Sequence, residues 1–119
     1  MLVACATPRV QERGSILTEP ILNESTFTTM DGIDLPYQSW APENPRAIVV
    51  GLHGMNDYSK TFAMPGPWLA EQGIATFAYD QRGFGRAPQT GIWAGTDTMR
   101  SDARTFIRLV HEAYPNTPL

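Results

Sequence analysis

Residues 46–56 of this chain, with the sequence RAIVVGLHGMN, carry its clearest structural signal. The apolar run at 47–52 is typical of a short strand buried on both faces of a parallel sheet. A polar turn follows at the carboxyl end of that strand, where open α/β sheets place their ligands. Gly54 has no Cβ, so the backbone can turn sharply there, and freed backbone N–H groups can face a developing negative charge. The stretch therefore predicts one side of an active site.

The composition excludes several kinds of protein. The chain has 119 residues, 42% of them hydrophobic and 18% charged, which suits a globular domain and argues against disorder. A net charge of −3 without a basic stripe argues against nucleic acid as a partner, and no apolar run of membrane-spanning length is present. The single cysteine, Cys5, excludes an internal disulfide and a cysteine-based zinc site. The two histidines, His53 and His111, lie far apart in sequence, and we expect neither a metal nor a cofactor.

The first 24 residues lack periodicity, contain two prolines and are predicted to form an extended arm. Residues 2–5, Leu-Val-Ala-Cys, resemble the lipobox of bacterial lipoproteins, in which the cysteine becomes lipidated. This resemblance implies membrane attachment through Cys5 and a place in the bacterial cell envelope. A complete lipoprotein signal also has a charged start and an apolar stretch, whereas only four residues precede Cys5. The alternative is an unmodified cysteine in a cytoplasmic protein.

A hairpin is predicted over residues 27–37, FTTMDGIDLPY. Asp31-Gly32 favours a two-residue turn, because that turn needs positive φ angles at its central positions. After the turn, Ile33, Leu35 and Tyr37 alternate with polar residues or proline, which is typical of a strand with one buried face. The hairpin therefore precedes the buried strand of residues 47–52.

A second buried strand follows farther along the chain. Ile74–Tyr79 is apolar except for Thr76, and it is followed by a loop at residues 80–86, DQRGFGR. Between the two buried strands, residues 57–73 predict short helical pieces that are interrupted by Pro65-Gly66-Pro67. Strands that alternate with helices in this way indicate an α/β protein.

The last helix is the most clearly predicted helix of the chain, and Pro115 ends it. Its apolar residues recur at helical spacing and are expected to form the buried face. These residues are Met99, Ala103, Phe106, Ile107, Val110, Ala113 and Tyr114. Arg100, Arg104 and Arg108 line another face, which we interpret as solvated rather than as a binding surface.

The elements follow the order hairpin, buried strand with an HG loop, helix, buried strand with a D-x-R-G-x-G loop, and helix. In this order, the motifs LHGM at 52–55 and YDQRGFG at 79–85 resemble the α/β-hydrolase family. The nearest branch contains monoacylglycerol lipases and lysophospholipases, also called serine aminopeptidase-like hydrolases. The resemblance covers about residues 25–119 and implies the N-terminal portion of an α/β-hydrolase fold, with a mostly parallel sheet.

The resemblance also implies roles for the residues of both loops. In this family the residue after His53-Gly54 donates a backbone N–H to the oxyanion hole, and here that residue is Met55. His53 and Gly54 would support this loop rather than act as catalytic groups. Asp80 and Arg82 would shape the second loop. The implied substrate is a small-molecule ester or a lipid of the monoacylglycerol or lysophospholipid type.

The chain departs from the family because it contains no G-x-S-x-G nucleophile elbow. None of its five serines has that context: Ser15, Ser25, Ser39, Ser59 and Ser101. The nucleophile, the acid and the base are therefore expected outside these residues, in a missing C-terminal half of the same fold. The 119 residues alone are expected to be inactive.

Two other interpretations concern binding rather than catalysis. A non-catalytic interaction or small-molecule binding domain derived from a hydrolase would carry the same motifs. A Rossmann-like module is disfavoured, because the turn after the first buried strand has neither the G-x-G-x-x-G fingerprint nor the G-K-[ST] phosphate loop.

Overall fold

The computed structural model describes residues 6–15 and 18–119. In chain order their elements are β1 (Ile21–Leu22), β2 (Thr26–Thr28), β3 (Asp34–Trp40), β4 (Ala47–Gly51), a 3-10 helix (Ser59–Ala63), α1 (Pro65–Glu71), β5 (Ile74–Tyr79) and α2 (Thr96–Ala113). No helix in this part of the chain is long and apolar enough to cross a membrane. Cys5, the predicted lipidation site, lies outside the described residues.

The strands form one mixed sheet in the order β1-β2-β3-β5-β4. β4 and β5 are parallel, and they are the two strands predicted from the apolar runs. The other three strand pairs within the described residues are antiparallel. The predicted α/β class is confirmed, whereas the sheet is mixed within the described residues rather than mostly parallel as predicted, because the hairpin strands pair antiparallel with their neighbours. Because β4 and β5 run in the same direction, the loops that follow them leave the sheet at the same edge.

β4 lies at the end of this sheet and is less buried than its sequence predicted. Val49 is 40% exposed, and Leu52, directly after the strand, is 48% exposed. The reason is that β4 has only β5 as a strand neighbour, while α1 packs mainly on β3 and β5. On the other side of β4, the N–H of Ile48 donates to the carbonyl oxygen of Pro118 at 2.9 Å. Residues near Pro118 therefore run beside the open edge of the strand.

The predicted hairpin forms between β2 and β3, but its turn is longer than predicted. The strand pairing leaves residues 29–33 as the connection, rather than Asp31 and Gly32 alone. Gly32 has φ 77°, whereas Asp31 has no positive φ, so the predicted two-residue turn is wrong. Thr29 closes the longer loop, because its hydroxyl donates to the Asp31 carboxylate at 2.6 Å and accepts the N–H of Ile33 at 3.0 Å. This loop turns the Asp31 carboxylate into the protein.

The N-terminal arm contains structure that its sequence did not indicate. Ile21–Leu22 forms β1, which pairs with β2. Farther upstream, Val10 forms a parallel bridge with Trp93, and the N–H of Gln11 donates to the Trp93 carbonyl oxygen at 2.8 Å. A two-residue strand and a single bridge are too short for hydrophobic periodicity to reveal.

The helix α2 forms as predicted, but its buried face differs from the predicted one. Ile107 and Ala113 are exposed. The buried residues of the helix are Thr98, Asp102, Thr105, Phe106, Leu109 and Val110. The apolar pattern predicted a different face because it gave no reason to bury Asp102. Asp102 is buried because it pairs with Arg82, which lies 20 residues earlier in the chain. The arginine row is solvated as predicted, with Arg100 and Arg108 in exposed pairs with acids of the same helix.

Aromatic side chains fill the centre of the core. The ring of Tyr79 lies 4.7 Å from that of Phe106 and 5.5 Å from that of Phe27, and Tyr37 lies 5.8 Å from Phe106. Aromatic pairs at such distances add about 0.5–1.5 kcal/mol each beyond the burial of their area. Since these rings come from β2, β3, β5 and α2, the core joins the hairpin, the parallel pair and the helix.

A buried ion cluster links three segments beside this core. The Arg82 guanidinium binds both carboxylate oxygens of Asp31, with Nη1 at 2.8 Å, and both of Asp102, with Nε at 2.6 Å and Nη2 at 3.0 Å. All three side chains are almost fully buried. Bidentate pairs of this kind are the strong form of the ion pair. Arg82 comes from the loop after β5, Asp31 from the hairpin connection and Asp102 from α2.

The pKa values of the two carboxylates in this cluster are shifted in opposite directions. Hydrogen bonds from Arg82 lower the pKa of Asp31 far below its usual range, and the Thr29 hydroxyl and the Gly14 N–H contribute. Burial raises the pKa of Asp102, and its bonds to Arg82 offset only part of that effect. The cluster holds two negative charges and one positive charge, so the carboxylate with fewer donors, Asp102, is the first to take a proton.

This difference predicts unequal effects of neutralising each carboxylate. Asp31→Asn should lower the free energy of unfolding by about 3 kcal/mol, the cost of breaking a buried pair, whereas Asp102→Asn should cost clearly less. The cost is expected to be larger for Asp31→Asn because folding favours the charged form of Asp31 and the neutral form of Asp102, as their pKa shifts indicate. The stabilisation from Asp31 is present above pH 3.8, its ordinary pKa, and is lost as the pH falls below that value.

Chemical denaturation of the full-length protein at neutral pH and at about pH 3 measures these effects. Wild type should lose stability in acid, and Asp31→Asn should lose less on the same change of pH. Equal losses for the two variants at neutral pH would contradict the assigned difference between the carboxylates.

Candidate active site

Two loops meet at the carboxyl edge of the parallel strands. The HG loop covers residues 52–58 after β4, and the DRG loop covers residues 80–86 after β5. Gly51 in β4 pairs with Ala78 in β5, so the two loops begin side by side. The site residues predicted from the sequence lie in the HG loop: His53, Gly54 and Met55.

His53 connects the two loops. Its Nε2 accepts the N–H of Gln81 at 2.9 Å, and the Gln81 side-chain amide donates to the His53 carbonyl oxygen at 2.7 Å. Its Nδ1 lies 2.9 Å from the Gly54 carbonyl oxygen, so we assign the neutral ring with hydrogen on Nδ1, which satisfies both contacts. His53 is 7% exposed, and its ring packs edge-on against Phe84. His53 therefore has no free nitrogen with which to take a proton from a nucleophile.

Gln81 is a residue of this site that the sequence did not reveal. It occupies the variable position between Asp80 and Arg82 in the D-x-R-G-x-G motif, so the motif carries no signal for it. Both its backbone N–H and its side-chain amide bind His53. Gln81 thereby holds the HG loop in place.

Met55 lies in a tight turn at the rim of the site. The N–H of Asp57 donates to the Gly54 carbonyl oxygen at 3.3 Å, which closes a four-residue turn. Asn56, at the third position, has φ 59°, as a type II turn requires. The Met55 side chain is 69% exposed, and the Met55 N–H donates to no acceptor within the described part of the chain. This N–H is therefore available to an external acceptor.

Asp80 joins the DRG loop to the segment that follows the HG loop. Its carboxylate is fully buried and accepts the N–H of Ser59 and the N–H of Arg86, each at 2.9 Å. Burial alone would raise the pKa of Asp80, but the hydrogen bonds from Ser59 and Arg86 and the charge of Arg86 outweigh it and lower the pKa. Gly85, with φ 54°, is needed in this loop, because a Cβ there would lie 2.5 Å from the Cβ of Tyr58. Asp80 thus holds the DRG loop to the start of the 3-10 helix.

A cavity of about 500 Å³ opens between the two loops and residues 90–93. Its apolar wall is formed by Met55, Tyr58, Phe84, Ile92 and Trp93. Asp57 is the only charged residue among the described residues that line it. A smaller cavity of about 170 Å³ shares Met55, Phe84 and Trp93 with the first. Met55 therefore lies where the two cavities meet, and the larger one suits an apolar group of a small molecule.

The described residues contain no nucleophile paired with a base. Ser59 is fully buried, and its hydroxyl accepts a hydrogen bond from the Gln38 amide at 2.9 Å. No serine hydroxyl in the described ranges bonds to His53 or His111. The same residues hold no group of three or more side chains that could bind a metal ion. What they offer chemically is a free backbone donor beside an apolar cavity.

A mixed sheet with these two loops at one edge defines a partial α/β-hydrolase fold. Comparison with known proteins identifies the family. The family model for serine aminopeptidases, S33, matches residues 43–119, which include both loops. The chain belongs to this family, and the resemblance seen in its sequence is confirmed.

Individual relatives agree with this assignment. The chain is 33% identical to a bifunctional esterase/perhydrolase of Acinetobacter calcoaceticus over 70 residues, which are 59% of this chain and 24% of that protein. It is 37% identical to an uncharacterised abhydrolase domain-containing protein of Dictyostelium discoideum over 62 residues, which are 51% of this chain and 7% of that protein.

A solved structure supports the same fold. A thermostable carboxyl esterase from Bacillus coagulans superimposes with a TM-score of 0.67 and 27% identity, over 78% of this chain and 33% of the esterase. The chain therefore spans a third or less of each of these three relatives.

The contacts of His53 predict a stability effect. His53→Ala should lower the free energy of unfolding by about 1–3 kcal/mol, because the Gln81 N–H loses its acceptor. His111→Ala is the matched control, since His111 is exposed on α2, and its effect should stay within about 0.5 kcal/mol. Urea denaturation of the full-length protein provides the comparison. The assigned network would be refuted by a His53 variant that is as stable as wild type.

Proposed function

We propose that the HG loop forms the oxyanion side of a carboxylic-ester hydrolase active site, with the backbone N–H of Met55 as a donor. The observation that carries this proposal is the N–H itself, which is fixed in a turn and has no acceptor among the described residues. It lies at the rim of a largely apolar cavity. Membership of the serine aminopeptidase family supports the same interpretation.

The proposed chemistry is acyl transfer. Attack of a nucleophile on an ester carbonyl carbon moves negative charge onto the carbonyl oxygen, and a preorganised N–H stabilises that charge without reorganising. His53 cannot be the base in this reaction, because Gln81 occupies its Nε2. The serine nucleophile, its base and its acid would come from the remainder of an α/β-hydrolase fold.

The proposed substrate is a carboxylic ester with an apolar group, of the monoacylglycerol or lysophospholipid type. The cavity volume lies within the range of about 300–1,000 Å³ that is usual for small-molecule sites. Its wall is mostly apolar, and the Asp57 carboxylate would repel a phosphate beside it, which favours the monoacylglycerol type of the two. The Acinetobacter relative is named as an esterase, which supports ester over amide.

Met55→Pro tests the role of the backbone donor. Proline suits the second position of a type II turn, so the variant should keep the turn while it removes the N–H together with the methionine side chain. The kcat for p-nitrophenyl butyrate should fall by about 100- to 1,000-fold in the full-length protein, as it does when other oxyanion donors are removed. The measurement is steady-state hydrolysis followed by nitrophenolate absorbance.

Met55→Ala is the control, because it retains the N–H and should keep most of the activity. A Met55→Pro variant with the kcat of wild type would reject the oxyanion assignment. Residues 1–119 alone should show no turnover, since none of their serines lies in a nucleophile elbow. Binding of the ester by the full-length protein without any turnover would favour the alternative function, a non-catalytic interaction or small-molecule binding domain.

A further inference from the structure

The N-terminal arm contacts the wall of the large cavity from outside. Gln11 is 7% exposed although its side chain is polar. Its backbone N–H donates to the Trp93 carbonyl oxygen at 2.8 Å, and its side-chain amide donates to the Ile92 carbonyl oxygen at 2.5 Å. Val10 adds a parallel bridge to Trp93. This short stretch of the arm therefore binds two consecutive residues of the wall.

The carbonyl oxygens of Ile92 and Trp93 are held by the arm, while the Ile92 N–H donates to the Gln89 carbonyl oxygen at 3.1 Å. Among the described residues, their carbonyl oxygens accept hydrogen bonds only from Gln11. Just before them, Gln89 has φ 56°, a left-handed conformation that is unfavourable in a residue other than glycine. The Gln11 amide also lies against the DRG loop, since a Cβ on Gly83 would be 3.2 Å from its nitrogen. Gln11 thus lies between the DRG loop and the wall.

We propose that Gln11 is a positioning residue that holds Ile92 and Trp93 at the cavity, so that the arm sets how tightly the apolar group of an ester substrate is bound. This inference rests on the proposed ester-hydrolase function. Gln11 does not line the cavity, so it acts through the two wall residues. The donor proposed for catalysis, the Met55 N–H, lies in a different loop. Loss of the Gln11 amide should therefore raise KM and leave kcat almost unchanged.

The other contacts of the arm provide a comparison within the same segment. Arg13 donates to the Ser101 hydroxyl at 3.1 Å at an exposed position on α2. The N–H of Gly14 donates to the Asp31 carboxylate at 3.0 Å, in the ion cluster. Neither contact reaches the cavity wall. Loss of either contact should therefore not raise KM as loss of the Gln11 amide does.

Gln11→Met tests the proposal, because it keeps the length of the side chain and removes the amide donor. In the full-length protein it should raise KM for p-nitrophenyl butyrate by about three- to ten-fold, as expected for one lost hydrogen bond, with kcat within about two-fold of wild type. Amide hydrogen exchange in the peptide that covers residues 87–96 should become faster. Gln11→Ala is a second variant and should show the same pattern.

Arg13→Ala is the matched control and should leave both KM and exchange in residues 87–96 unchanged. The proposal is overturned if neither Gln11 variant changes KM or exchange. It is also overturned if Arg13→Ala has an equal effect, because the effect would then belong to docking of the arm in general and not to the Gln11 amide.

The exchange measurement separates this proposal from the proposed function. If the wild-type protein hydrolyses no ester, the ester-hydrolase proposal fails, whereas faster exchange in the Gln11 variants still supports their positioning role. If the wild-type protein hydrolyses the ester and exchange is unchanged in the variants, the function stands and the positioning role is rejected.

Discussion

The Arg82 guanidinium, held between Asp31 and Asp102, is the interaction on which the rest of this structure depends. A buried guanidinium is tolerated only when its charge and its N–H groups are paired, since leaving water costs several kcal/mol per ion. That requirement brings the hairpin connection, the DRG loop and α2 to one point. Asp31 also accepts the N–H of Gly14, which draws the arm to the same place. Four segments that are separate in sequence are thereby held together.

Three consecutive residues carry this constraint into the candidate site. Arg82 is fixed by the ion cluster, Gln81 binds His53, and Asp80 binds the start of the 3-10 helix. Because the backbone joins these residues, fixing one of them limits the movement of the other two. His53 leads directly into the turn that presents the N–H of Met55. The geometry proposed for the oxyanion side therefore depends on an ion cluster whose members do not line the cavity.

The fold of this protein and its proposed chemistry are supported by different observations. Membership of the serine aminopeptidase family establishes the class of fold, and one fold hosts many substrates. The proposed chemistry depends instead on the site, whose described residues offer the Met55 N–H, an apolar wall and the Asp57 carboxylate. Part of that wall is formed by Ile92 and Trp93, which bind the N-terminal arm. Substrate binding would thus depend on residues far from the HG loop in sequence.

Features with a local cause were predictable from the sequence, including the apolar runs of β4 and β5, the helical pattern of α2 and the two glycine-containing loops. These features were enough to predict the family and the place of the candidate site. The longer hairpin connection, the buried position of Asp102 and the contacts of Gln81 and Gln11 were decided only by the tertiary structure. Arg82 lies 51 residues from Asp31 and 20 from Asp102. A polar side chain is buried favourably only when a partner pairs with it, and hydrophobic periodicity contains no information about a partner so far along the chain.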